Sequence, residues 1–356
     1  MYRIKQYFSK YYAITSMTHE FKNIVYKAKV NQQNGLKNVL ATVVFLEGSS
    51  YRKPGVRMLI SENGSMVGAV SGGCVENEVK RRAQSVFRDD KPKIMTYDGR
   101  YRLGCEGLLY ILIEPFYITD SFFKAFQTQL EYRNTFKIDS YFKKEDDVFG
   151  DFGTIIQFND NSKFMFRETF KSQDSKTIQV FSQELKPSLR LLIIGGEHDA
   201  VKLCTIANSL GWEIDIITSI KDPKSLSDFP GAKSVTAQTP EIVDLKIDNE
   251  TVVVLMTHNY VLDLKYLIKL EPLQPKYIGI IGSSKRRNQL QNELLNYVSE
   301  LSEEFLETIH SPAGLHIGAI TPEEIALSIV AEILAIVRRT EVMSLSVFAN
   351  KTQKQK

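Results

Sequence analysis

The residues with the most chemistry to offer lie between Gly48 and Glu76, in the stretch GSSYRKPGVRMLISENGSMVGAVSGGCVE. It holds two glycine-bearing loops, Gly48-Ser49-Ser50 and Gly72-Gly73, three cations, Arg52, Lys53 and Arg57, and one thiol, Cys74. Backbone N–H groups and cations suit an anion, and a thiolate suits a soft metal or sulfur centre. Together they describe a site for an anionic ligand that carries a soft atom. A second glycine–cysteine loop, Leu103-Gly104-Cys105-Glu106-Gly107, offers another thiol in a similar setting.

These residues need elements to position them. Val56 to Ser61 and Ser65 to Val70 read as two strands joined by Asn63-Gly64, a strong hairpin signal. That hairpin brings both glycine loops to one end and sets Arg52, Lys53 and Arg57 near Cys74. Val75, Val79, Ala83 and Val86 recur at helical spacing, so Cys74 falls at a helix start. The helix dipole and the nearby cations there favour thiolate. The plainer alternative is a small buried cysteine filling a helix–strand contact. Cys105 precedes the apolar strand Leu108 to Pro115, and Cys204 sits in a helical run as a core residue.

Composition narrows the class. The 356 residues suffice for two domains, and 43% hydrophobic with 24% charged residues is ordinary for a globular protein. Lys and Arg number 45 against 42 Asp and Glu, which gives no electrostatic case for nucleic-acid binding. No run is apolar enough to span a bilayer and no signal peptide is evident. Three scattered cysteines form neither a disulfide framework nor a zinc pattern, so a reducing cytoplasm is the simplest compartment.

In chain order, residues 1–16 read as a loose basic lead, with Met17 as a second candidate start. Residues 17–133 form an α+β domain that holds the loops described above. Residues 134–187 alternate short runs, with Asn159-Asp160-Asn161 as a hairpin turn, and read as a small β-rich connecting segment. From 188 to 340, strands at Leu191, Glu213, Thr251 and Tyr277 alternate with helices, predicting a Rossmann-like parallel sheet. Thr321-Pro322-Glu323-Glu324 is a capped helix start, and residues 341–356 are a polar tail. The fold class is α/β, two domains joined by the β-rich segment.

The dinucleotide fingerprint Gly-x-Gly-x-x-Gly/Ala reads here as Gly195-x-Glu197-x-x-Ala200. Glu197 sets bulk and negative charge where a diphosphate would lie, and Thr218-Ser219 replaces the acid that takes a ribose hydroxyl. NAD(P) is therefore disfavoured as a cofactor. His198, His258, His310 and His316 lack metal-ligand spacing and read as loop hydrogen-bonders.

The chain resembles the xanthine dehydrogenase accessory family of the XdhC/CoxI type. The resemblance rests on Gly48 to Gly55 with Arg57-Met58, on Ser71-Gly72-Gly73-Cys74-Val75-Glu76, and on Leu103-Gly104-Cys105. In the C-terminal half it rests on Thr257-His258, Gly279 to Ser283, Pro312 to Gly318, and Thr321 to Ala326. Tyr51, Glu106, Glu197 and Thr218-Ser219 depart from the family pattern. The resemblance implies a maturation chaperone, rather than a turnover enzyme, that binds molybdenum cofactor, assists its sulfuration and hands it to an apo molybdenum hydroxylase. It implies cofactor contacts at Gly48, Ser49, Ser50, Arg52, Lys53, Arg57, Ser71, Gly72, Gly73, Cys74 and Glu76. By the same resemblance Cys74 is the molybdenum ligand and, with Cys105, the reactive thiol. Implied partners are the hydroxylase of the xanthine dehydrogenase type, a cysteine desulfurase-like sulfur donor and a second copy of the chain. The alternatives are an NAD(P)-dependent oxidoreductase and a non-catalytic scaffold between sulfur donor and client.

Overall fold

The computed structural model describes residues 17–48, 53–71, 73–99, 107–171, 177–298 and 300–347. The chain forms two compact units, one built on Ile14–Pro187 and the other on Ser188 onward.

The first unit begins with α1 (Met17–Gln33), β1 (Asn38–Glu47), β2 (Arg57–Ser61), β3 (Met66–Gly68) and α2 (Cys74–Asp89). It continues through β4 (Lys93–Asp98), β5 (Leu108–Pro115) and α3 (Asp120–Glu131). Then come β6 (Phe136–Phe142), β7 (Val148–Phe149), β8 (Gly153–Gln157), β9 (Lys163–Met165) and β10 (Gln179–Leu185). One sheet runs β3-β2-β1-β5-β4-β7 and a second runs β10-β6-β8-β9. The β2–β3 hairpin turns at Asn63-Gly64, as its sequence predicts, with Gly64 at φ 84°. Its second strand is shorter than expected. The chain leaves the ladder at Gly68 (φ 81°), where a Cβ would come 2.5 Å from the Arg57 carbonyl oxygen.

Strand alternation divides the first sheet into two faces. Ala41, Met58, Ile60, Ile111 and Ile113 share one face through their ladder partners, and α2 packs over β1, β5 and β4. Its buried stripe is Val75, Val79, Ala83 and Val86. The opposite face carries Leu40, Thr42, Arg57, Leu59 and Glu114, and meets α1 and the second sheet. Asn31 of α1 donates to the side chains of Asn38 and Ser61 there.

That second sheet is the segment expected to be a connector. It folds instead as part of the first unit, because its apolar side chains complete the same core. Phe136, Ile138, Ile156, Phe158, Phe166 and Leu185 are buried together with Phe21 of α1 and Phe126 of α3. Glu114 fastens the two sheets: its carboxylate accepts from the Thr154 N–H at 2.9 Å and the Thr154 hydroxyl at 2.5 Å.

The second unit is doubly wound. β11 (Arg190–Ile194), β12 (Glu213–Thr218), β13 (Ser234–Ala237), β14 (Thr251–Leu255), β15 (Ile278–Ile280) and β16 (Ile309–His310) form a parallel sheet. Its order is β13-β12-β11-β14-β15-β16, with the switch in winding between β11 and β14. One core holds α4 (His198–Ser209) and α8 (Pro322–Val337), and the other holds α5 (Tyr260–Leu270), α6 (Ser284–Tyr297) and α7 (Glu303–Glu307). Thr321 and Glu324 close the expected capping box on α8. Cys204 lies wholly buried on α4, as its pattern predicts, and burial pushes its thiol up to about 11.

Glu114 makes the first unit sensitive to pH. Burial pushes its carboxyl up to about 7, although the Thr154 hydrogen bonds and the Arg57 charge pull the other way. An unfolded Glu titrates near about 4.3. Between these values the folded state holds the extra proton, so stability is greatest below the unfolded value and falls as pH rises toward 7. The expected loss is on the order of 3 kcal/mol at most. Urea unfolding at pH 5 and pH 8 should show this fall in the wild type and a smaller one in Glu114→Gln. Equal pH dependence in both proteins would contradict the assignment.

Candidate functional site

Antiparallel register brings three connections to one end of the first sheet. Glu47, the last residue of β1, pairs with Leu108, the first of β5, so Gly48 leaves the sheet beside that strand start. Asp98 also pairs with Leu108, and the Gly99 N–H donates to the Gly107 carbonyl at 3.0 Å, closing the root of the β4–β5 connection. The segment before β2 returns to this end, where the Gly55 N–H donates to the Val43 carbonyl at 2.8 Å. Met58, near the start of β2, pairs with Gly68, so β3 also ends here and leads through Ser71 and Gly73 into α2.

Cys74 is the first residue of α2, a helix of 16 residues, so its backbone sits at the helix start that the sequence predicts. Gly73 precedes it at φ 104°, a conformation open to glycine, and a Cβ there would meet nothing within 4 Å among the described residues. Ser49, Ser50, Arg52, Gly72 and Cys105 lie outside the described residues, as does the Cys74 side chain. Gly48 is placed at the end of β1 with φ 79°, and Lys53 is exposed, with no ion-pair partner among the described residues.

Glu76 has an internal role. Its buried carboxylate accepts from the N–H groups of Ser71 and Gly73, both at 2.6 Å. The loop is thus wrapped around the protein's own anion, and these two donors are already taken. Donors for an external anion at this helix start fall to the N–H groups that follow Gly73.

Arg57 requires a correction. The sequence pattern sets it beside Cys74 as a ligand-binding cation. Alternation along β2 instead turns it to the face opposite α2, where it is 3% exposed. Its Nη1 donates to the Gly55 carbonyl at 2.9 Å and to Gln183 Oε1 at 2.6 Å, and its guanidinium lies 5.4 Å from the Phe21 ring centre. Its Nε and Nη2 are buried without a hydrogen-bond partner among the described residues. Burial lowers it to about 10, with Glu114 as the opposing influence. Gln183 shapes the loop end through both Arg57 and Gly55, since a Cβ on Gly55 would come 2.6 Å from its amide nitrogen. No sequence signal links Gln183 to a glycine loop so far upstream.

In the second unit, a cleft lies at the C-terminal ends of β11, β12 and β14, lined in part by Gly196, Glu197, Thr218, Ser219 and Met256. Glu197 is the N-cap of α4 without a side-chain cap bond, and Asp199 follows in the first turn. Two acids thus stand at the helix start where a dinucleotide site holds its diphosphate. The histidines make paired contacts: His258 stands 4.0 Å from Asp199 and His310 3.7 Å from Glu332.

The fold defines a two-unit α/β protein with glycine loops rooted at one end of its first sheet and a Rossmann-type second unit. Family comparison agrees. The model described as "XdhC and CoxI family" matches residues 32–98, and that described as "XdhC Rossmann domain" matches residues 191–333. The chain belongs to the XdhC/CoxI family. It is 29% identical over 326 residues to a Bacillus subtilis protein named as a probable xanthine dehydrogenase subunit, covering 86% of this chain and 94% of that one. It is 22% identical over 325 residues to the "Molybdenum cofactor insertion chaperone PaoD" of Escherichia coli, covering 90% of each. A crystal structure described as a xanthine dehydrogenase from Bacillus halodurans shares the fold, with a TM-score of 0.73 and 24% identity over 89% of this chain and 96% of that one.

The correction on Arg57 has a measurable consequence. Arg57→Ala should lower the unfolding free energy by roughly 2–4 kcal/mol, because it strips a buried cation from its partners. Lys53→Ala, at an exposed position, should change it by less than about 0.5 kcal/mol. Urea denaturation of both variants checks this, and equal mild effects would return Arg57 to the ligand-facing side.

Proposed function

We propose that this protein is a maturation chaperone that binds molybdenum cofactor at the loop end of its first unit. It assists the cofactor's sulfuration and passes it to an apo molybdenum hydroxylase of the xanthine dehydrogenase type. The observation that carries this reading is the convergence of the loop roots around Gly48, Gly73–Cys74 and Gly99–Gly107 on one sheet end. A relative named as a molybdenum cofactor insertion chaperone supports the ligand class.

The residues present fit such a group. Molybdenum cofactor is an anion with a phosphate and a metal held by sulfur. The start of α2, a helix of 16 residues, offers its first N–H groups to an oxyanion. Lys53, together with Arg52, supplies positive charge for the phosphate, and Ser49 and Ser50 supply hydroxyls for a polar heterocycle edge. Cys74, at the positive end of the helix, supplies a thiolate to the metal or its terminal sulfur, and Cys105 supplies a second thiol. Glu76 holds the loop shape by occupying the Ser71 and Gly73 donors. When bound, the cofactor supplies the molybdenum centre. The chain's part is to hold, shield and release it, with a cysteine desulfurase-like protein as sulfur source and a homo-oligomer as the working form.

Two measurements on one set of variants test this. Protein purified without oxygen should carry molybdenum and a fluorescent pterin, and Cys74→Ser should lose most of the molybdenum while keeping its fold. At neutral pH, Cys74 should react with iodoacetamide faster than the buried Cys204. If Cys74→Ser retains full molybdenum and still activates a client hydroxylase, Cys74 is a packing residue and this reading fails.

A further inference from the structure

The buried seam between the two sheets of the first unit carries donors that the protein's own groups do not fill. Thr42 and Arg57 stand directly opposite each other on β1 and β2, so their side chains leave one face side by side. Thr42 is fully buried and Arg57 is 3% exposed. The Arg57 Nη1 is committed to the Gly55 carbonyl and to Gln183. Its Nε and Nη2, and the Thr42 hydroxyl, are buried with no hydrogen-bond partner among the described residues. Buried donors are costly to leave unfilled, and most of all on a charged group.

The atoms left over are a particular set. Nε and Nη2 form one edge of the guanidinium, the parallel fork that grips a planar oxyanion with two hydrogen bonds. The Thr42 hydroxyl beside it adds a third donor. Three donors without an acceptor suit a ligand that only accepts. Water would bring two hydrogens of its own, and the acid of the seam, Glu114, already accepts from Thr154 at both carboxylate oxygens.

The charge balance points the same way. Glu114 lies on the same face, opposite Leu40, and acts on Arg57 through its charge rather than through a hydrogen bond. Burial pushes its carboxyl up to about 7, so at neutral pH it is only in part a counter-charge. Arg167, the other cation acting on Glu114, has its own partner in Asp151 at 2.6 Å. The Phe21 ring over the Arg57 guanidinium carries no formal charge.

We propose that this seam holds a planar monovalent oxyanion of the bicarbonate, nitrate or formate kind, gripped by the Nε–Nη2 edge of Arg57 and the Thr42 hydroxyl. The ligand is structural. It completes the contact between the two sheets and does not depend on what the glycine loops bind.

Urea unfolding of the full chain tests it, with sodium formate or sodium nitrate exchanged for sodium chloride at constant ionic strength. The wild-type midpoint should rise and level off as at least one of these anions passes through the millimolar range, as expected for a ligand of the folded state alone. Thr42→Val keeps the β-branched shape of a strand residue and removes only the hydroxyl, so it should fold. It should need about tenfold more anion for the same gain, having lost one hydrogen bond to a charged group. Arg57→Met should show no gain. Equilibrium dialysis with radiolabelled formate reads the same contrast without unfolding. A wild-type midpoint that neither anion moves would overturn the proposal and leave a bridging water as the partner of these donors. An equal response in wild type and Thr42→Val would also overturn it, because the anion would then bind elsewhere, at the glycine loops or on the surface.

Discussion

The antiparallel pairing of β1 with β2 and β5 is the constraint on which the candidate site depends. A ladder of backbone hydrogen bonds permits shifts only in whole residues, and a shift of one residue exchanges the two faces of a strand. With Glu47 opposite Leu108 and Thr42 opposite Arg57, the exits of β1 and β3 and the β4–β5 connection all fall at one end. The same register decides which side chains are kept from that end. Arg57 follows a glycine-rich loop directly, yet the parity of β2 commits it to the interior.

That interior explains why the first unit needs its second sheet. Thr42, Arg57 and Glu114 are polar groups on a buried face, and each imposes a desolvation cost unless partnered. The second sheet partners two of them, Gln183 from β10 to Arg57 and Thr154 from β8 to Glu114, while the Thr42 hydroxyl has no partner among the described residues. A segment that looks like a connector is thus the cover over a charged seam beneath the site. The seam lies against the strands from which the loops spring, so it fixes the loop roots.

Much of this is legible from local pattern. Asn63-Gly64 announces the hairpin, the valine and alanine stripe announces α2, and the alternation of strands and helices announces the parallel sheet. The capping signature Thr321 to Glu324 locates α8. What is not legible comes from contacts distant in sequence. Arg57 reads as a ligand cation because its neighbours are loop residues, and nothing in the sequence marks Gln183 or Glu114 as its company. Glu76 reads as part of a binding motif, whereas its carboxylate is consumed by the loop's own N–H groups. The 134–187 segment reads as separate because its pattern is polar at intervals, but its phenylalanines face the shared core. In the second unit, Glu197 signals from sequence that a diphosphate would be unwelcome.

If the two glycine–cysteine loops serve a single site, their thiols must come within reach of one another. The most direct measurement is intramolecular cross-linking of Cys74 to Cys105 by a short bismaleimide, in the full chain carrying Cys204→Ala. Loops rooted at one sheet end predict a cross-link in the folded protein that is suppressed in urea, read by mass spectrometry of the joined peptides. Efficient single labelling of both thiols with no joined peptide would contradict it and separate the two loops into different sites.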